Sequence, residues 1–123
     1  GEAGIARLRA GEQKFILPGG GVRCVADQDW CTSAETCEAV LAYLAVDDQA
    51  MANTLFEWAQ INRDADGAYF TGMVFPQEVH FPAGERSAYT AAAIVLAADA
   101  LSETTPAARL LWAHEALPAL ELA

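Results

Sequence analysis

The 123-residue chain repeats itself. Gln60 and Gly67 restate Gln13 and Gly20 at a spacing of 47, while Ser87-Ala88-x-Thr90 and Trp112-Ala113 restate Ser33-Ala34-x-Thr36 and Trp58-Ala59 at 54. A period near fifty in an alanine-rich sequence predicts stacked helical hairpins, each unable to bury its apolar face alone. The chain is therefore expected to be one all-α domain of about two and a half hairpins, the C-terminal part of something longer. The opening Gly1-Glu2-Ala3-Gly4 carries no cap or core pattern and fits an appended tag or the interior of a longer parent chain.

Element by element, the pattern predicts a helix tail over Ile5–Lys14, ended by Pro18-Gly19-Gly20-Gly21, and a loop to Trp30. Thr32 with Glu35 forms a capping box for an apolar helix, Ser33–Val46. Asp47 and Asp48 end that helix and cap the next, Asp47–Asn62, whose Met51, Leu55, Trp58 and Ile61 fall at helical spacing. A long loop, Arg63–Arg86, follows, rich in aromatics, and a loop of that length is uncommon unless functional. Ser87 caps Ala88–Leu101, apolar almost all round and so expected to be buried on every side. Thr105-Pro106 opens an amphipathic helix, Ala107–Leu117, ended by Pro118. His114 aligns with Gln60 in the repeat and reads as a cap or a satisfied partner.

Composition narrows the partners. The net charge is -10 with only seven Lys and Arg, so nothing here displaces counterions from nucleic acid or anionic lipid. Cys24, Cys31 and Cys37 include no CxxC pair and read as reduced thiols of a cytoplasmic protein. The longest apolar stretch, Ala88–Ala98, is too short for a transmembrane segment.

The order outer helix ending in Gln, Gly-x-aromatic, loop, then Ser/Thr-started alanine-rich inner helix resembles the repeats of the squalene cyclase and protein prenyltransferase superfamily. It stands here as Gln60-x6-Gly67-Ala68-Tyr69 and more weakly as Gln13-x6-Gly20-Gly21-Val22. The resemblance implies a segment of an α/α toroid that binds an isoprenoid or other apolar substrate, with prenyltransferase-like or terpene cyclase-like chemistry if active. In it, Gln60 and Tyr69 tie neighbouring hairpins together.

Three constellations bear on chemistry. Asp29 and Cys31 resemble two ligands of the prenyltransferase zinc site, with Arg23-Cys24 upstream, but no His stands at Ser87–Thr90 to complete it. His80 is the nearest candidate, and the plain alternative is a capping Asp29 and a packed Cys31. Asp47-Asp48 echoes the cyclase Asp-x-Asp-Asp acid with Ala45 at its first position, and reads as caps. The long loop and the next helix start bring Tyr69, Phe70, His80, Phe81, Glu85, Arg86 and Tyr89, with Glu35 facing the same cavity. There aromatics would shield a cation and Arg86 would pair with a diphosphate. Against this stands a surface Glu85–Arg86 pair with the aromatics filling a groove.

Two other functions fit the residues. One is a non-catalytic helical interaction module that binds a partner or a second copy through an exposed hairpin face. The other is a carbohydrate-active α/α toroid, with Trp30 and Tyr69 stacking on sugars and Glu35 and Glu85 as acid and base.

Overall fold

The glycines and prolines between the helices do more than interrupt them. In the computed structural model, which describes residues 1–113 and Glu115, helix α1 (Glu2–Phe15) runs straight into strand β1 (Ile16–Leu17). Gly19 and Gly21 take positive φ (82° and 114°), a backbone state open to glycine. They turn the chain into β2 (Gly21–Arg23), antiparallel to β1. Strand β3 (Trp30–Thr32) pairs with β2 and leads into α2 (Ser33–Leu44). Helix α3 (Gln49–Ala59) and a short 3-10 turn (Gln60–Asn62) follow, then the hairpin β4 (Gly72–Val74) and β5 (Val79–His80), and finally α4 (Ala88–Ser102). The five strands form one antiparallel sheet in the order β1-β2-β3-β4-β5.

The expected all-α class is thus overturned: four helices share the described residues with a five-stranded antiparallel sheet. The strands lie in the two stretches that read as loops. They are two or three residues long, too short to show alternation.

The helices themselves follow the sequence closely. Thr32 stands at the N-cap of α2 but makes no cap hydrogen bond to the helix backbone; its hydroxyl donates to the Glu35 carboxylate instead, so the expected capping box does not form. The Asp48 carboxylate caps α3 by accepting from Met51 N at 3.1 Å, and Ser87 Oγ accepts from Thr90 N at 3.1 Å. Asp47 instead takes a left-handed φ of 59° in the turn between α2 and α3. Helix α2 is central, packing on both α3 and α4. Cys37, Val40, Tyr43 and Leu44 meet Ala52, Leu55 and Ala59 of α3 and Ile94, Ala97 and Ala100 of α4.

Helix α1 buries no residue. Its Leu8 packs against the core, and polar contacts add to this: Arg9, paired within the helix with Glu12, also pairs with Asp48, both at 2.7 Å, and Tyr43 OH donates to Glu12 at 2.9 Å. At the far end of α3, Gln60 Nε2 donates to Phe56 O at 2.9 Å and Tyr69 OH donates to Gln60 Oε1 at 2.5 Å.

Two helical expectations change. Helix α4 is not covered all round: Ala88, Tyr89, Ala91, Ala92, Val95 and Leu96 form an exposed stripe along it. From Pro106 to Trp112 the backbone makes successive turns instead of the start of an α-helix, with Leu110 and Leu111 exposed. His114, Leu117 and Pro118, on which the rest of that expectation falls, lie outside the described residues.

Candidate functional site

Strand β3 runs directly into the first turn of α2, so side chains from both meet at one rim. Trp30 and Thr32 share a face of β3, because alternate strand residues point the same way. Across from Thr32 stands Gly72 of β4. A Cβ at Gly72 would lie 2.5 Å from Cys31 O and 2.8 Å from Trp30 Nε1, so only glycine lets the indole cross there. The indole N–H donates to Phe81 O at 3.0 Å, and the two rings meet edge to face with centroids 5.5 Å apart.

Glu35, half-buried in the first turn of α2, takes its partners from Thr32 and from the β2 side of the sheet. The Thr32 hydroxyl donates to one of its oxygens, and Cys24 Sγ donates to the other at 3.6 Å. Cys24 is held in turn by its own N–H, which donates to Trp30 O at 3.0 Å. One turn along α2, Glu38 Oε1 accepts from Tyr89 OH of α4 at 2.7 Å. That carboxylate raises the Tyr89 phenol above its usual range, since ionising it would set two negative charges together. The Tyr89 ring is 63% exposed and Phe81 53%, so apolar faces stay open beside the carboxylates.

Glu85 arrives from the segment before α4. Its carboxylate accepts from Thr71 Oγ1 at 2.7 Å, and its carbonyl accepts from Thr71 N. Thr71 O in turn accepts from Ser33 N, tying Glu85 to the start of α2.

The remaining aromatic candidates have other neighbours. Arg86 pairs with Asp64 at 3.0 Å and Asp66 at 2.8 Å and lies over the Phe70 ring; it does not pair with Glu85. Phe70 stacks on His80 at 3.9 Å. Tyr69 is committed to Gln60, away from these groups. Of the residues considered for zinc, Asp29 pairs with Arg23 at 2.8 Å, and Cys31 is fully buried, its thiol pushed up to about 11 by burial. No three His, Cys, Asp or Glu side chains among the described residues are grouped to hold a metal ion.

Sequence reasoning brought Glu35, Trp30, Phe81, Glu85 and Tyr89 forward. It missed Glu38, whose signal was its place three residues after Glu35 on the same helix face, and it weighed Cys24 only beside a zinc site. Among the described residues no helix is long and apolar enough to cross a membrane.

No family model matches the chain. The chain is 47% identical over 106 residues to the MMP endo-(1,4)-3-O-methyl-alpha-D-mannosidase of Mycolicibacterium hassiacum, a match covering 86% of this chain. The chain spans 29% of that relative's length. This overturns the squalene cyclase and prenyltransferase resemblance, and with it the isoprenoid or apolar substrate. The matched relative is named as a glycosidase, and the sheet has no place in the expected toroid segment. The repeated Gln-Gly-x-aromatic pattern carried that resemblance, and a clamp at a helix end is too general a device to identify a family.

Proposed function

We propose that this segment contributes to the active site of a carbohydrate-active enzyme that hydrolyses an α-mannoside. The observation that carries the reading is the 47% identity to a named mannosidase across 86% of the chain. The rim gives it chemistry: carboxylates beside open aromatic faces suit a sugar, whose hydroxyls seek acceptors and whose ring faces stack on aromatics. The activity is proposed for the whole protein to which the segment contributes. The unpaired thiols favour a reducing compartment, which supports a cytoplasmic location.

Glycoside hydrolysis uses two carboxyl groups flanking the scissile bond. Glu35 has both oxygens held by hydrogen bonds, and this fixed carboxylate is assigned as the base or nucleophile. Glu38 stands one turn away on the same helix face and so approaches a sugar from the same side as Glu35. Glu85 comes from a different element and is the better partner, acting as the acid. Trp30, Phe81 and Tyr89 supply stacking surfaces. Phe70, His80 and Arg86 support the loop that carries Phe81 and Glu85.

The test is hydrolysis of a (1→4)-linked 3-O-methyl-α-D-mannose oligosaccharide by the full-length protein and its E35Q and E85Q variants. Each substitution should lower kcat about 10²–10⁴-fold with the fold intact. Wild-type kcat in E35Q would refute the assignment of Glu35.

A second reading, an interaction module, is favoured by one feature, the exposed apolar stripe of α4 with Val95 at 64% and Leu96 at 45%. It predicts no hydrolysis and a self-association that V95D abolishes.

A further inference from the structure

Glu35 is the one carboxylate at the rim with both oxygens engaged by the protein, and the way it is held is unusual. Its donors are a thiol and a hydroxyl, Cys24 and Thr32. No Lys, Arg or His among the described residues pairs with it. The other titratable groups facing it are Glu38 on its own helix and Tyr89 on α4, and Tyr89 gives its proton to Glu38. Two neutral donors therefore hold this charge, set against a like charge one turn away.

The donors come from two separate places in the sheet. Thr32 is the last residue of β3, and its carbonyl accepts from Thr36 Oγ1 at 2.6 Å. Cys24 lies just past β2, anchored by its N–H to Trp30 O at 3.0 Å. The β2–β3 pairing thus sets both donors relative to the first turn of α2. The Cys24 thiol is itself suited to donate. Burial and the neighbouring carboxylate both raise it, so it keeps its proton.

We propose that Cys24 and Thr32 are positioning residues: together they hold both oxygens of the Glu35 carboxylate and fix it toward the rim for its part in hydrolysis. The proposal rests on the glycosidase reading above. It goes further by placing a thiol in the machinery of a hydrolase as a hydrogen-bond donor, not as a nucleophile or a metal ligand.

A carboxylate that loses a donor is free to swing away from the reacting atoms. In C24A and T32V kcat should therefore fall about tenfold with KM little changed, the size expected for losing a hydrogen bond to a charged group. C24S and T32S restore a donor and should return kcat toward the wild-type value. A purely structural role for these residues would instead lower the unfolding midpoint, leave kcat of the folded protein unchanged and show no rescue by a restored donor. The two donors serve different oxygens, so if one truncation fails to fold the other carries the same test.

The full-length protein is assayed on the (1→4)-linked 3-O-methyl-α-D-mannose oligosaccharide. Loss of activity in E35Q with wild-type kcat in C24A and T32V would overturn the clamp and leave the glycosidase reading standing. An active E35Q would remove Glu35's role itself. A spectroscopic arm stands apart from activity. In infrared difference spectra, the S–H stretch assigned by comparison with C24S should shift to the frequency of a free thiol in E35A. An unchanged band in E35A would overturn the clamp whatever the protein hydrolyses.

Discussion

Gly72 is where sheet and site depend on the same atom. Replacing it with Ala sets a Cβ 2.5 Å from the carbonyl oxygen of Cys31 and 2.8 Å from Trp30 Nε1. The first contact is with backbone in the neighbouring strand, which cannot swing aside as a side-chain tip would. Either β3 and β4 part or the pleat distorts. Overpacking in a well-packed site costs about 1–3 kcal/mol, and a backbone clash this close belongs at the upper end. About 3 kcal/mol is a change of about 150-fold in the folding equilibrium. With a urea dependence of about 1–3 kcal/mol per molar, the midpoint should fall by at least about 1 M. Gly4 supplies the control. It lies in α1, nothing comes within 4 Å of a Cβ there, and its φ is ordinary. G4A should stabilise by about 0.5–1 kcal/mol through helix propensity alone. Urea unfolding followed by tryptophan fluorescence reads both, and G72A should also alter the native emission of Trp30. A G72A midpoint equal to wild type would mean that the indole does not cross Gly72, and the account of the Trp30–Phe81 corner would fall with it.

Two further outcomes follow from buried and paired groups. Glu12 and Asp48 are held below the usual carboxylate range first by Arg9, then by Tyr43 OH and Met51 N respectively, so the stability they give α1 is present above about pH 4 and lost as pH falls through their lowered values. Amide exchange in α1 should therefore speed up in acid before the α2–α3 core opens, and R9A should shrink that pH step, leaving the part owed to Tyr43 OH and Met51 N; a step of undiminished size in R9A would refute it. Burial pushes the Cys31 and Cys37 thiols up to about 11 and 12 and leaves both at most 1% exposed, whereas Cys24 is half-buried at the rim. Mass spectrometry after iodoacetamide treatment of the native protein should find Cys24 modified ahead of the other two, and equal labelling of all three would contradict the packing of β3 and α2.

How much of this was legible depended on how far apart the interacting residues lie. The Asp48 cap and the Ser87 cap were readable because each closes within three residues, whereas Thr32 and Glu35 meet side chain to side chain and not as the expected capping box. The sheet was not, since β3 finds β4 only through Trp30↔Val74, Cys31↔Met73 and Thr32↔Gly72, after two helices have intervened. Strands of two or three residues leave no periodic trace, and Gly-rich turns look the same whether they end a helix or close a hairpin. The α4 stripe was misread for a related reason. A helix apolar on all sides states what it tolerates, but its neighbours decide which faces are covered, and here α2 covers only one flank.

The site divides along the same line, and the repeat shows where. Its Ser-started helices recur in both copies, and the second copy's Gln60 and Tyr69, the latter standing where the first has Val22, pair at the end of α3. The spacing grows from 47 to 54 in the segment before Ser87. That segment folds as the β4–β5 hairpin and delivers Phe81 to Trp30 and Glu85 to Thr71. Glu35 and Tyr89 were legible because they occupy matching places in the two copies, yet each takes its partner from outside the repeat's logic. Glu35 takes Cys24 from the β2 end, and Tyr89 takes Glu38 from the next turn of α2. A repeat constrains backbone positions that must superpose, whereas a rim is made by side chains that differ between copies. The residues that break the period are accordingly the ones that give the two helix starts, at Ser33 and Ser87, different neighbours, and with them give the candidate site its one orientation.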